Sequence, residues 1–175
     1  MNSAFQQQLK QLSFKTFYHN QMATFDYDDL FAGQRVVVFS LPNIQTACSQ
    51  AHFLNFSENY NQFLTNGIDN MYVVNSTDWL IGPYVDKRSS DLKGLPDRNM
   101  EFVNAVANHV NNKNDVNDLA RFWQYLIIIN DGEPEKFWSA PFKKETSLSI
   151  LKSRKIRYHG LSTDNVLKYL IDNSK

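Results

Sequence analysis

Three short runs of β-branched and aromatic residues, each bounded by turn residues, constrain the fold of this chain more than any other feature. They cover residues 36–39, 71–74 and 125–129. A continuous apolar run of this length is typical of a strand that is buried on both faces of a sheet. Asn130, Asp131 and Gly132 end the third run with hairpin-turn chemistry, which predicts a further strand near residues 136–138.

Helical patterns lie between and after these runs. Apolar residues recur at steps of three and four from 49 to 64, and shorter patterns of the same kind cover 102–110 and 166–171. Ser162 is a candidate cap for the last of these helices. Strands that alternate with helices predict an α/β fold with helices on both faces of the sheet. The hairpin adds an antiparallel pair, so we expect a mixed central sheet.

Length and charge limit the organisation and the partners of the chain. Its 175 residues predict one domain, 1–175, in which 1–15 form an N-terminal extension. With 18 basic and 18 acidic residues the formal net charge is zero, which argues against nucleic acid binding through bulk charge and against a polybasic membrane anchor. The segment 143–159, with six cations and one anion, is interpreted as a basic insertion. It is either a solvated surface or a docking patch for an acidic partner or an anionic substrate.

The numbers and positions of the cysteine, histidine and apolar residues argue against several kinds of site and cellular location. A single cysteine, Cys48, excludes an intrachain disulfide and a cysteine-rich zinc site, and it suits a reducing compartment. His19, His109 and His159 are too scattered to suggest a metal site. No window approaches 18 apolar residues, and residues 1–12 lack the apolar stretch of a signal peptide. We therefore expect no membrane partner, no metal and a cytoplasmic location.

Cys48 stands where a helix is predicted to start. It follows a buried strand, a proline turn and a threonine. The first turn of a helix presents backbone N–H groups without intrahelical partners and a partial positive charge, and both favour the nucleophilic thiolate. Alternatively, Cys48 is a small buried residue that packs as a hydrophobic side chain does. The position of Cys48 in the sequence does not decide between a reactive thiol and a buried packing residue.

The segment 42–52 reads Pro-Asn-Ile-Gln-Thr-Ala-Cys-Ser-Gln-Ala-His. It resembles the active-site loop Pro-Gly-Ala-Phe-Thr-Pro-x-Cys-Ser-x-x-His of the peroxiredoxins, in their atypical type-five group, which includes the peroxiredoxin–glutaredoxin hybrids. The resemblance continues at 73–75 (Val-Val-Asn for Ser-Val-Asn), 95–102 (Leu-Pro-Asp-Arg-Asn-Met-Glu-Phe for Leu-Pro-Asp-Gly-Asn-Gly-Glu-Phe) and 123–125 (Trp-Gln-Tyr for Trp-Arg-Tyr). It covers about residues 24–171 and implies a thioredoxin-like fold. The Cys-Pro-x-Cys motif of the hybrids' glutaredoxin part does not occur in these residues.

The resemblance also implies site residues. Cys48 would be the peroxidatic nucleophile, which a peroxide oxidises to a sulfenic acid. Pro42 would be the pocket wall, Thr46 the hydroxyl ligand, and Gln124 would stand at the position of the family's arginine. Ser49 and His52 are candidate substrate-binding residues, although His52 has a second interpretation as a packing or capping residue.

The resemblance further implies partners but no prosthetic cofactor. An external thiol, such as glutathione or a glutaredoxin or thioredoxin, would reduce the oxidised cysteine. A homodimer is implied as well, and Trp79, Tyr84 and Phe53 are candidate interface aromatics. Trp79, Trp123 and Trp138 are interpreted as core or interface residues rather than ligand-stacking residues.

Three departures from the family pattern indicate a degenerate site. Gln124 carries no charge, and loss of a preorganised donor typically costs about 100- to 1,000-fold in rate. Arg121 cannot replace the cation on a regular strand, because a residue three positions away points to the other face. Only Ala47 separates Thr46 from Cys48, so the loop is one residue shorter. The chain also lacks a second cysteine, which leaves a one-Cys mechanism.

Two functions remain open at this point. The first is a one-Cys, thiol-dependent peroxidase that reduces hydrogen peroxide or alkyl hydroperoxides slowly through Cys48. The alternative is a catalytically impaired peroxiredoxin fold that acts as a binding or assembly module or as a thiol redox sensor.

Overall fold

A computed structural model describes residues 3–110, 124–139 and 161–173 of the chain. The helices are α1 (Ala4–Leu9), α2 (Tyr27–Leu30), α3 (Ala47–Glu58), α4 (Tyr60–Thr65), α5 (Ile81–Asp86), α6 (Glu101–His109) and α7 (Thr163–Asp172). The strands are β1 (Phe14–Tyr18), β2 (Gln21–Phe25), β3 (Arg35–Ser40), β4 (Asn70–Asn75), β5 (Lys93–Pro96), β6 (Tyr125–Asn130) and β7 (Glu133–Ser139). The segment 143–159 and the residues Arg121 and Trp123 lie outside the described residues.

A five-stranded sheet in the order β5-β4-β3-β6-β7 forms the centre of the fold. Strands β3, β4 and β5 are parallel, whereas β6 pairs antiparallel with β3 and β7 pairs antiparallel with β6. The predicted mixed sheet is thus confirmed, and the three apolar runs lie in β3, β4 and β6. Because β6 runs against β3, it begins at the edge of the sheet where β3 and β4 end.

The sheet is buried on both faces, as the continuous apolar runs predict. One face, which includes Val36, Val38 and Ile127, packs with residues of α1 and α6. The other, which includes Val37, Phe39 and Ile128, packs with residues of α3 and α7. Each fully buried aliphatic side chain of this kind contributes about 1.5–3 kcal/mol relative to an exposed one. This double burial fixes the ends of β3, β4 and β6, from which the candidate site is built.

The structure differs from the sequence prediction in one helix. The helical pattern from 49 to 64 is two helices, because it breaks at Asn59, whose side-chain amide donates to the Asn55 carbonyl at 2.8 Å. Within the predicted N-terminal extension, α1 buries Phe5 and Leu9 in the core, and β1 begins at Phe14. Among the described residues, no helix combines the length and apolar character that a bilayer crossing requires.

Candidate active site

The candidate site begins where β3 ends. The Tyr125 N–H at the start of β6 donates to the Ser40 hydroxyl at 2.9 Å, and the Leu41 N–H donates to the Val74 carbonyl at 3.0 Å. Gln124, which is half-buried and directly precedes β6, is therefore placed next to the point where the loop to Cys48 starts. The antiparallel pairing of β3 with β6 brings Ser40 and Tyr125 together across a long stretch of sequence.

The loop from Pro42 to Thr46 closes on itself around Asn43. The Asn43 carbonyl accepts from the Thr46 N–H at 3.2 Å and from the Thr46 hydroxyl at 3.0 Å. Its side-chain oxygen accepts from the Gln45 N–H at 2.9 Å, which is an Asx turn. The contacts of Asn43 thus form the turn through which the chain enters α3.

Thr46 is the N-cap of α3. Its backbone is extended (φ −82°, ψ 144°), and its hydroxyl accepts from the Ser49 N–H at 3.2 Å while donating to the Asn43 carbonyl. A hydroxyl has one proton and two lone pairs. The Thr46 hydroxyl therefore has only one lone pair left for a ligand, and it has no proton to donate to one.

Cys48 lies in the first turn of α3, and its side chain is exposed. The interpretation as a buried hydrophobe is wrong, because the thiol faces solvent. Ser49 is buried, and Pro42 is buried at the base of the loop. The structure thus brings Pro42, Thr46, Cys48 and Ser49 into one loop and helix start.

His52 follows one turn later but belongs to the core. It is fully buried, with its imidazole edge-on to Phe39 and Phe56 at centroid distances of 5.5 and 4.8 Å. Burial lowers the pKa of His52 to about 3, so the imidazole is neutral at pH 7. The structure therefore agrees with the packing interpretation, and we assign His52 no contact with substrate.

A second loop, which follows β4, holds the base of the Cys48 loop. The Asn75 side-chain amide donates to the Leu41 carbonyl, and its oxygen accepts from the Thr77 N–H at 2.7 Å. The Thr77 hydroxyl donates to the Pro42 carbonyl at 2.9 Å. Sequence reasoning noted Asn75 only as part of a matching strand end and missed Thr77 altogether.

Two further expectations concern surface residues and metals. Phe53, expected as an interface aromatic, is fully buried, so that expectation is wrong. Trp79 is 63% exposed, which excludes the core and leaves its place at an interface as a prediction. Tyr84 is half-buried against Phe53, with a centroid distance of 5.5 Å. In the described part of the chain, no group of three or more His, Cys, Asp or Glu side chains is placed to hold a metal ion.

Comparison with known proteins agrees with this geometry. The chain is 28% identical to the hybrid peroxiredoxin hyPrx5 of Haemophilus influenzae over 161 residues, which is 87% of this chain and 66% of that protein. It is 30% identical to the peroxiredoxin sll1621 of Synechocystis over 117 residues, which is 65% of this chain and 61% of that protein. The chain is thus similar to peroxiredoxins over much of its length.

Structure comparison supports the same fold. A crystal structure of reduced Prx3 from Vibrio vulnificus in complex with hydrogen peroxide superposes with a TM-score of 0.66 at 18% identity, over 93% of this chain and 95% of that one. The thioredoxin-like fold that the resemblance implies is thereby confirmed. No family model matches the chain. The chain spans slightly less than two thirds of the length of the curated peroxiredoxins named above.

Proposed function

We propose that this protein is a one-Cys thiol peroxidase of the peroxiredoxin type that reduces hydrogen peroxide or an alkyl hydroperoxide through Cys48. The observation that carries the proposal is the exposed Cys48 thiol in the first turn of a 12-residue helix, directly after a loop of peroxiredoxin type. The N-terminal end of a helix stabilises negative charge on the sulfur. Cys48 is also the only cysteine in the 175 residues.

The oxidation step follows from thiol chemistry. The Cys48 thiolate attacks one peroxide oxygen, the O–O bond breaks, and the sulfur becomes a sulfenic acid. The leaving oxygen takes a proton and departs as water or an alcohol. The remaining lone pair of the Thr46 hydroxyl accepts a hydrogen bond from the peroxide, and first-turn N–H groups of α3 stabilise the charge that develops.

Regeneration uses an external thiol. The thiol sulfur attacks the sulfenic sulfur, the S–O bond breaks, and water leaves as a mixed disulfide forms. A second thiol attacks this disulfide, which restores Cys48 and releases the oxidised thiol as its disulfide. Glutathione, a glutaredoxin or a thioredoxin is the class of reductant that we propose, in a reducing compartment such as the cytoplasm.

We expect the reaction to be slow. The neutral Gln124 stands where the family has arginine, so the leaving oxygen loses a cationic donor, which typically costs about 100- to 1,000-fold in rate. The short loop also commits the Thr46 proton to Asn43. Both features reduce the stabilisation of the transition state while leaving the nucleophile in place.

The test is rapid mixing of the reduced protein with hydrogen peroxide, followed by intrinsic fluorescence and by mass spectrometry, with Cys48→Ser as control. A phase that is faster than the reaction of a free thiol, adds one oxygen and disappears in Cys48→Ser would support the peroxidase. A rate no better than that of a free thiol, in a folded protein, would contradict it. It would favour the alternative, a binding or assembly module or a thiol sensor.

We also propose that two copies associate close to Cys48. Leu54 lies on α3 with 52% of its surface exposed. Contact with a second copy would remove this apolar side chain from water, which is favourable. Sedimentation velocity should give a dimer for the wild type and a shift towards monomer for Leu54→Glu. Met22→Glu, an equally exposed apolar position on β2, is the matched control.

A further inference from the structure

A cavity of about 440 Å³ opens between the loop that follows β4 and the loop that follows β5. Residues 75–79 line one side, and Pro96 and Arg98 line the other. The volume lies within the range of small-molecule sites, which is about 300–1,000 Å³. The Thr77 hydroxyl connects this wall to the Pro42 carbonyl at 2.9 Å, so the cavity adjoins the loop that carries Cys48.

Arg98 supplies the cavity's positive charge. It is exposed, and among the described residues it forms no ion pair. Arg98 stands where the resembling family motif, Leu-Pro-Asp-Gly-Asn-Gly-Glu-Phe, has glycine, so this cation is a feature of this chain. A guanidinium in this setting suits a carboxylate, which it can bind with two parallel hydrogen bonds.

Three other polar side chains of the cavity, those of Ser76, Thr77 and Asp78, offer hydrogen-bond acceptors. The Ser76 hydroxyl donates to the Asp97 carboxylate at 3.0 Å and the Thr77 hydroxyl donates to the Pro42 carbonyl, so both present lone pairs to a ligand. Asp78 adds a carboxylate, one oxygen of which accepts from the Leu80 N–H at 2.9 Å. A ligand with N–H donors as well as a negative group matches these three side chains together with Arg98.

Trp79 adds a flat apolar surface. Its indole is 63% exposed although it lines the cavity. Exposed indoles are well suited to bind groups with one flat apolar face and one polar edge. Amide planes have this shape, whereas an inorganic anion has neither the flat face nor the N–H donors. The lining as a whole thus favours an amino acid or a short peptide over a simple anion.

We propose that this cavity binds the carboxylate and amide groups of a small peptidic molecule. Arg98 binds its carboxylate, Trp79 packs on an amide plane, and Asp78 with the Ser76 and Thr77 oxygens accepts its N–H groups. If the proposed function holds, on which this last step rests, the ligand is the peptidic thiol that reduces oxidised Cys48.

The experiment separates binding from thiol chemistry. S-methylglutathione, which has no free thiol, is titrated into Cys48→Ser and followed by calorimetry and tryptophan fluorescence. We expect saturable binding, an affinity at least 10-fold weaker in Arg98→Gln, and loss of the fluorescence change in Trp79→Phe. Arg88→Gln is the matched control and should bind as the parent does, because Arg88 is an exposed arginine that stacks on Tyr84 at 3.8 Å.

Several outcomes would overturn the proposal. They are an absence of saturable binding at millimolar ligand, equal affinity in Arg98→Gln, and displacement by inorganic phosphate at equal concentration. A change of oligomeric mass in Trp79→Phe would assign the indole to an interface and would also overturn it.

The peroxidase proposal is tested separately by the oxidation rate of the wild type. Binding can therefore hold when peroxidase activity fails, and the reverse is equally measurable. If both hold, Arg98→Gln should raise the KM for glutathione and leave the rate of Cys48 oxidation by peroxide unchanged.

Discussion

Cys48 and His52 lie one turn apart on α3, yet the thiol is exposed and the imidazole is fully buried. Four residues advance a helix by about 6 Å. That distance takes the helix from its solvent-facing start to a position over Phe39 of β3, where the His52 ring packs. We therefore expect a change at His52 to affect mainly the stability of the fold, whereas the Cys48 thiol is accessible to reactants at the surface.

Replacing His52 with phenylalanine should make the protein less sensitive to acid. Burial lowers the pKa of His52 to about 3, whereas an unfolded histidine has a pKa of about 6.5. Between these values the unfolded chain binds a proton that the folded chain does not. The wild type should therefore lose about 1.4 kcal/mol of stability for each pH unit below 6.5 through this group.

Urea unfolding of wild type and His52→Phe between pH 7.5 and 4.5 measures this difference. The slopes of the free energy of unfolding against pH should differ between the two proteins by an amount that corresponds to nearly one proton. The wild type should lose more stability than His52→Phe as the pH falls. Phe53→Leu, a change at a fully buried position of α3 that carries no titrating group, should keep the wild-type slope. Parallel slopes for wild type and His52→Phe would show that His52 is not held neutral.

Removing the Thr77 hydroxyl should slow Cys48 oxidation at little cost in stability. The hydroxyl anchors the Pro42 carbonyl at the base of the loop, and a net hydrogen bond is worth about 1 kcal/mol. Misplacement of a reacting group by about 1 Å can cost on the order of 100-fold in rate. We therefore expect Thr77→Val to react about 10- to 100-fold more slowly with hydrogen peroxide.

Thr65→Val is the matched control for this change. The Thr65 hydroxyl also donates to a backbone carbonyl, that of Asn61 at 2.9 Å, but it does so on α4. Both variants should lose similar stability, and only Thr77→Val should lose rate. Equal rates in the two variants would leave the loop after β4 without a positioning role.

Gly94 should not tolerate a side chain. A Cβ at this position would lie 2.8 Å from the Ile81 carbonyl carbon and closer still to its oxygen, and both are backbone atoms that cannot rotate away. The strand β5 and the helix α5 would have to move apart, which typically costs about 1–3 kcal/mol or more. Gly94→Ala should lose at least this much in denaturant unfolding, while Ser90→Ala nearby should stay within about 0.5 kcal/mol of wild type.

The central strands were predictable because their signal is local. β3, β4 and β6 are buried on both faces, so each leaves an uninterrupted apolar run in the sequence. β5 is the four-residue stretch Lys-Gly-Leu-Pro at an edge of the sheet, and nothing in its composition favours a strand. The hairpin β1–β2 turns through His19 and Asn20, both at positive φ, where glycine is the usual signal.

Only the part of the candidate site whose residues are neighbours in the sequence was predictable. The helix start at Cys48 and the cap Thr46 follow from local spacing. The contacts of Asn75 with Leu41 and of Thr77 with Pro42 join residues more than 30 positions apart. They depend on the parallel pairing of β3 with β4, which sequence spacing alone does not give.

Restoring the cation should raise the rate of the proposed reaction. Gln124 directly precedes β6, and the Tyr125 N–H beside it donates to Ser40 at the end of β3. An arginine at 124 would supply the charged donor that the leaving oxygen lacks, so we expect Gln124→Arg to oxidise at least 10-fold faster with hydrogen peroxide. Gln11→Arg, an exposed change between α1 and β1, adds the same charge away from the site and should change nothing. An unchanged rate in a folded Gln124→Arg protein would contradict this prediction. It would indicate that the shortened 42–48 loop, rather than the missing charge, limits the rate of Cys48 oxidation.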